Sequence, residues 1–224
     1  MTLVLLLTTA LAAPLPPATD LDGDGTPETV AFDGATVVVG GARTDCGSDS
    51  FPCELEVHDL TAGDKQREIA ICGFGPRDDR FCTLFAYRGG SLHAIAFPFP
   101  GGAEPPTRIE TSGNGIALAS GSGRLYTRID KFVHKDGALR YVPQAGWFVG
   151  RQVKVDRTFP ITTEPDGGTR VAGVRPGSTI TVVLESQTVA RTYLVHISSG
   201  LTGWVPEQVL IGASNELMAL WGAG

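Results

Sequence analysis

Two-residue turns constrain this chain more than any other feature. Asp33-Gly34, Gly89-Gly90 and Asp136-Gly137 each separate short runs in which apolar and polar residues alternate. Such a turn needs a left-handed backbone, which glycine adopts without steric cost, and its twist matches that of paired antiparallel strands. The same punctuation continues elsewhere, with 29 glycines and 15 prolines interrupting runs rich in Val, Ile and Thr. Together they make up about a fifth of the chain, below the level that marks disorder. The expectation is an all-β protein built from antiparallel sheet. Its 224 residues suit one or two domains and allow a sizeable core.

Two of these hairpins echo one another. Phe85-Ala-Tyr-Arg-Gly-Gly90-Ser-Leu92-His93 lines up with Phe132-Val-His-Lys-Asp-Gly137-Ala-Leu139-Arg140 at an offset of 47 positions. The offset is close to the period of a propeller blade, although turn chemistry alone also produces such a match. The length leaves room for only two such units and excludes a full propeller. Residues 13–149 are therefore expected to form one meandering, twisted antiparallel sheet, blade-like or curled into a barrel.

Ahead of the first hairpin runs Asp20-Leu-Asp-Gly-Asp-Gly-Thr-Pro-Glu28. Hard cations take six to eight oxygen ligands, and a tight loop can present them from alternate positions. Here those are Asp20, Asp22, Asp24, the backbone carbonyl of Thr26, and Glu28, with Gly25 at the sharp turn. Four acids in nine residues repel one another, which calls for a counter-ion, and calcium is the expected one. The plainer alternative is an Asp/Gly turn that binds nothing. An EF-hand is excluded, because its twelfth position, where a bidentate Glu is required, is Ala31. The loop resembles the calcium loops of FG-GAP/VCBS-type repeats, in which Asp-x-Asp-Gly-Asp-Gly-x-x-Asp/Glu leads into a hydrophobic strand. That resemblance covers residues 18 to 32 and implies calcium held by the same five positions.

Residues 1–12 read as a secretory signal peptide. The apolar run is too short to span a bilayer, and Ala10-Leu11-Ala12 supplies the small-x-small cleavage site. No Lys or Arg precedes the run. Export makes disulfides permissible, and the cysteine count of four is even. Three connectivities are possible. Local pairing, Cys46 with Cys53 and Cys72 with Cys82, is expected because each pair brackets a loop rich in Gly, Pro, Ser and Asp. Zinc is the rival, but neither spacing is CxxC and no histidine stands at ligand spacing. A net charge of -6 argues against a nucleic-acid partner.

Other chemistry-bearing residues have simpler readings. His58, His93, His134 and His196 are scattered over alternating stretches. His58-Asp59 offers a catalytic pair without an identifiable nucleophile. Glu54 and Glu56 share one face of a strand, as paired acid–base carboxylates would, but a solvated face explains them as well. Asp78-Asp79 could reach the calcium loop as an extra ligand. Residues 111–124 are glycine-rich but match neither nucleotide-loop pattern, and no G-x-S-x-G elbow is present.

The composition shifts near Gly146–Gly150. Beyond it, runs at Thr158–Pro165, Val171–Arg175, Ser178–Leu184, Thr192–Ile197 and Trp204–Leu210 give five short strands, enough for a small barrel. This region, 150–211, resembles a bacterial SH3-like (SH3b) domain. The residues that carry the likeness are Val174-Arg-Pro-Gly177, the Tyr193–Ile197 strand, and Gly203-Trp204-Val205 ahead of Val209-Leu210. The family has Trp where Tyr193 stands. The resemblance implies contact with cell-wall peptide or glycan, or attachment beside another envelope protein, with Tyr193 and Trp204 lining the ligand groove. Residues 212–224 form a tail, in which Asn215–Trp221 suits a short helix with Leu217, Leu220 and Trp221 packing inward.

The expectation is an exported, non-enzymatic binding or scaffold protein of the cell envelope. The alternative is an envelope hydrolase whose catalytic residues lie in the β domain.

Overall fold

Alternating strands and glycine turns build four antiparallel sheets in this computed structural model, which describes residues 18–47, 53–75, 79–100, 105–122, 125–189 and 191–222. The expected signal peptide lies outside the described residues. The chain divides into two compact units, residues 1–121 with 130–142, and residues 122–129 with 143–224. The second unit thus begins before residue 150 and includes a segment from 122 to 129.

The first unit is a run of three meanders. Strands β1 (Ala18–Thr19), β2 (Glu28–Phe32), β3 (Thr36–Val39) and β4 (Ala42–Asp45) form the first sheet, each pairing with the next. Strands β5 (Glu54–His58), β6 (Glu68–Phe74), β7 (Arg80–Arg88) and β8 (Ser91–Ile95) form the second. The third is β9 (Arg108–Thr111), β10 (Ile116–Ser122), β11 (Thr127–Lys135) and β12 (Ala138–Val142). The expected single sheet is therefore three four-stranded ones, each with the topology of a propeller blade.

The reason lies in β6. Its Ile69 and Ile71 pack into one core with Leu21, Val37 and Val39, while Ala70 and Cys72 pack into another with Ala117, Ala119 and Phe132. A strand that is apolar on both faces must be covered on both, so the second sheet lies between its neighbours. Phe132 anchors the second core, with the rings of Phe97 and Phe99 edge-on at 5.1 Å each.

The last hairpin of every meander turns the same way. Val39 pairs with Ala42 across Gly40-Gly41, Arg88 with Ser91 across Gly89-Gly90, and Lys135 with Ala138 across Asp136-Gly137. All six turn residues have positive φ, as a type I′ turn requires. The sequence echo is thus the repeat itself, and it has a third copy at Gly40-Gly41. A side chain at Gly40 is also barred by packing, because its Cβ would stand 2.2 Å from the Tyr87 hydroxyl.

Both disulfides form with the expected pairing, Cys46–Cys53 and Cys72–Cys82. The first ties the first sheet to the start of β5. The second joins residues directly opposite on β6 and β7.

The second unit wraps one six-stranded sheet around one core. Its strands are β13 (Gly146–Lys154), β14 (Phe159–Glu164), β15 (Gly167–Val174), β16 (Thr179–Ser186), β17 (Thr192–Ile197) and β18 (Thr202–Pro206), in the order β13-β16-β17-β18-β14-β15. Val153, Ile161, Val174, Val182, Val195 and Val205 give every strand a place in that core. Bulges in β13, β14 and β16 bend the sheet.

Residues Glu207–Leu210, expected as strand, instead open helix α1 (Glu207–Gly212). Pro206 cannot donate to a ladder and its fixed φ suits a helix entry, while Glu207 lies favourably at the N-terminus. Helix α2 (Asn215–Gly222) is capped by Asp156, whose carboxylate accepts the Asn215 amide at 2.8 Å. Leu217 is buried in the core, but Leu220 is exposed rather than packed. Among the described residues, no helix is long and apolar enough to cross a membrane.

Candidate cation loop

The Asp20–Glu28 stretch connects β1 to β2, and its own carboxylates shape it. Asp20 accepts the amides of Gly23 and Gly25 at 2.8 and 3.0 Å, one on each oxygen. Asp22 accepts the Asp24 amide at 3.2 Å, and Asp24 the Thr26 amide at 2.7 Å. Glu28 reaches back to the Leu21 amide at 2.6 Å. Leu21 itself is fully buried in the core between the first two sheets. The loop is thus pinned at its start by an apolar anchor and closed at its end by a carboxylate brace.

Of the five expected ligands, Asp20, Asp22 and Glu28 converge, each offering an oxygen within 4.8 Å of the others. Asp24 is exposed and outside this group. Thr26, the expected carbonyl ligand, is also exposed. An all-oxygen, all-carboxylate donor set fits a hard cation rather than zinc or copper. Asp79 lies in the loop between β6 and β7 and is not part of the cluster, and Asp78 lies outside the described residues.

The second meander repeats the brace, which sequence reading alone missed. Its equivalent loop starts at Asp59-Leu60 and ends at Glu68, and Glu68 accepts the Leu60 amide at 2.9 Å. Leu60, like Leu21, is fully buried. The carbonyl of Leu21 accepts the Arg67 amide at 3.0 Å, and that of Leu60 accepts the Gly115 amide at 2.7 Å, so each loop is stitched to the next sheet identically. The signal was available as Asp-Leu followed by an acid at the head of an apolar strand.

The comparison separates two roles. Glu28 has its counterpart in Glu68, so it belongs to the brace, and Asp20 stands at the position of Asp59. Counting from the first Asp, Thr61 and Gly63 stand where Asp22 and Asp24 are. The fold does not need acids there.

Glu68 is 2 % exposed, and burial raises its pKa, with Asp64 and Asp59 adding to the rise and the Leu60 amide opposing it. The folded state therefore holds this proton to higher pH than the unfolded chain does. Its contribution is favourable in acid and fades as pH climbs from the ordinary 4.5 through the raised value. Glu68→Gln keeps an oxygen for Leu60 and removes the ionisation. It is expected to gain about 1 kcal/mol at neutral pH and nothing in acid, measured by denaturation at several pH values. A variant that is less stable at neutral pH would contradict this.

Among the other candidates, Glu54, Glu56 and His58 have structural partners. Arg80 bridges Glu54 and Glu56 at 2.6 and 3.3 Å, and Glu56 in turn lies 3.3 Å from His58 Nε2. His58 Nδ1 faces the Thr111 hydroxyl at 3.4 Å, so its neighbours are Glu56 and Thr111 rather than Asp59. Burial lowers the His58 pKa, against the pull of Glu56. This row is a charge ladder along β5 and β7.

In the second unit, Tyr193 is 1 % exposed and sits in the core. It points inward alongside Val195 and Val205, so it does not line a groove. Trp204 is half-buried on β18, opposite Leu194 and Thr162. Among the described residues of this unit, the exposed aromatic is Phe148, 75 % exposed, next to Trp147, whose ring is covered by the Arg128 guanidinium.

No protein-family model, curated protein or solved structure matches this chain.

Proposed function

We propose that the chain is an exported, non-enzymatic binding or scaffold protein whose first unit is braced by calcium at Asp20, Asp22 and Glu28. The observation that carries this reading is their convergence on a loop whose twin in the next meander folds without the second and third acids. Asp24, whose carboxylate accepts the Thr26 amide, and the Thr26 carbonyl are outer contributors in this reading. The two disulfides support an oxidising compartment. The second unit takes the SH3-like role of contacting cell-wall peptide or glycan, or another envelope protein. With Tyr193 in the core, Trp204 is the remaining aromatic of the expected pair.

Calcium bound to the native loop and not to the unfolded chain stabilises by RT ln(1 + [L]/Kd). Extracellular-type sites bind in the sub-millimolar to millimolar range, so millimolar calcium is expected to add about 1–2 kcal/mol over excess chelator. Asp22→Asn should abolish that increment, and Asp24→Asn should only reduce it. Magnesium should substitute poorly, because it demands a tight octahedron and keeps its waters. Asp33→Ala serves as the control. Asp33 caps the turn into β3 by accepting the Ala35 and Thr36 amides, so its loss destabilises the protein but leaves the calcium response intact. A melting curve indifferent to calcium would sink the reading.

A further inference from the structure

The three meanders allow the chain to be compared with itself. Aligned on their closing turns, Arg88 occupies the place of Val39, and His93 that of Thr44. Leu92 and Leu139 likewise hold matching places on the second and third sheets. Between the first two sheets this space is filled, since Val39 is fully buried and packs with Ala42, Tyr87 and Leu92. Between the second and third it is open. A cavity of about 290 Å³ is lined there by Ala86, Arg88, His93, Ile95, Pro98 and Leu139.

The lining has two chemistries. Ala86 and Leu139 are buried and form an apolar floor, with Ile95 half-buried beside them. Arg88 and His93 are exposed at its edge, on the same face of the second sheet because they lie on paired strands in matching phase. Among the described residues, neither side chain has a hydrogen-bond or ion-pair partner. The neighbouring acid, Asp136, is paired with Arg140 at 3.5 Å and so does not neutralise them. The repeat departs from its apolar pattern at this one seam by placing a guanidinium where the other seam has an isopropyl group.

We propose that this slot binds a small carboxylate with a short apolar tail, the carboxylate on Arg88 and His93 and the tail on Ala86, Ile95, Pro98 and Leu139. A guanidinium fork matches a carboxylate with two parallel hydrogen bonds, which a surface lysine could not reproduce. The volume is at the low end for ligand pockets, which limits the occupant to the size of an amino acid. A free short-chain acid and the C-terminal residue of a peptide share this chemistry. The site is separate from the Asp20–Glu28 loop and does not depend on its occupancy.

The test is a titration of the full chain, followed by amide and arginine side-chain NMR signals, in calcium and again in chelator. The probes are isobutyrate and trialanine, with isobutyramide and trialanine amide as neutral counterparts. The acids are expected to give saturable shifts at the Arg88 side chain and the Gly137 amide, and the amides none. A stronger response to trialanine assigns the site to peptide C-termini, and a stronger response to isobutyrate assigns it to free acids. Arg88→Val should weaken binding by about tenfold or more while leaving the remaining spectrum in place, because the equivalent seam already holds a valine. Arg88→Gln gives the same test without altering the packing. The proposal is overturned if wild type shows no saturable shift, if the amides act like the acids, or if both Arg88 variants respond like wild type. None of those results bears on calcium, which is read separately from the melting curve.

Discussion

Replacing Tyr193 by alanine is expected to destabilise the second unit by about 3–5 kcal/mol, the cost of removing a large aromatic side chain from a packed core. Tyr193 lies on β17 opposite Glu185 and Val205, and its ring is among the largest fully buried side chains of the protein. The loss is not only one of volume. Burial raises the Glu185 pKa, while hydrogen bonds from the Tyr126 and Tyr193 hydroxyls oppose that rise. The Tyr126 hydroxyl donates to Glu185 at 3.1 Å. Without Tyr193 this carboxylate is left desolvated with one donor fewer, which adds to the cavity penalty. Tyr193→Phe isolates that second part and is expected to cost about 1 kcal/mol. Denaturant unfolding of the full chain, followed by the fluorescence of Trp147 and Trp204, measures both variants. A Tyr193→Ala protein with an unmoved unfolding midpoint would contradict the core assignment and restore Tyr193 as a surface residue.

The misplacement of Tyr193 shows where sequence reading reaches its end. Alternation in Thr192–Ile197 tells which residues share a face, but not which face is the inner one when both carry apolar side chains. The same ambiguity hid the number of sheets. β6, Glu68–Phe74, has no polar face, and only the structure shows that it is covered on both sides. Turn chemistry was legible because it is local: Gly89-Gly90 and Asp136-Gly137 mark hairpins whatever surrounds them. The third copy at Gly40-Gly41 escaped because the linkers between meanders differ in length, so the turn spacing drifts from 49 to 47 positions. The disulfides were legible for the same local reason, each closing a short loop. The cation loop could be read as a set of acids, but their division of labour could not. Only the comparison of the Leu21 and Leu60 loops shows that Glu28 belongs to a brace and that the twin loop folds without acids at the places of Asp22 and Asp24.

That division gives the second large effect, at Leu21. Its side chain is fully buried between the first two sheets, its amide is held by Glu28, and its carbonyl is held by Arg67. Leu21→Ala is expected to cost about 2–5 kcal/mol, the range for a buried leucine whose site collapses only in part. The loss should also reach the cation. Asp20 and Asp22 flank Leu21 directly, so once the anchor is cut the two carboxylates are no longer held at the convergence that Glu28 completes. The calcium-dependent rise in melting temperature should therefore shrink together with the stability. Leu60→Ala supplies the contrast, because it empties a matching site beneath a loop that lacks the second and third acids. It should cost a similar amount and leave the calcium increment in place. Calorimetric melts of both variants, in chelator and in millimolar calcium, separate anchoring from general destabilisation. If Leu21→Ala kept the full calcium increment, or if Leu60→Ala lost it as completely, the buried leucine would not be what positions the cation ligands.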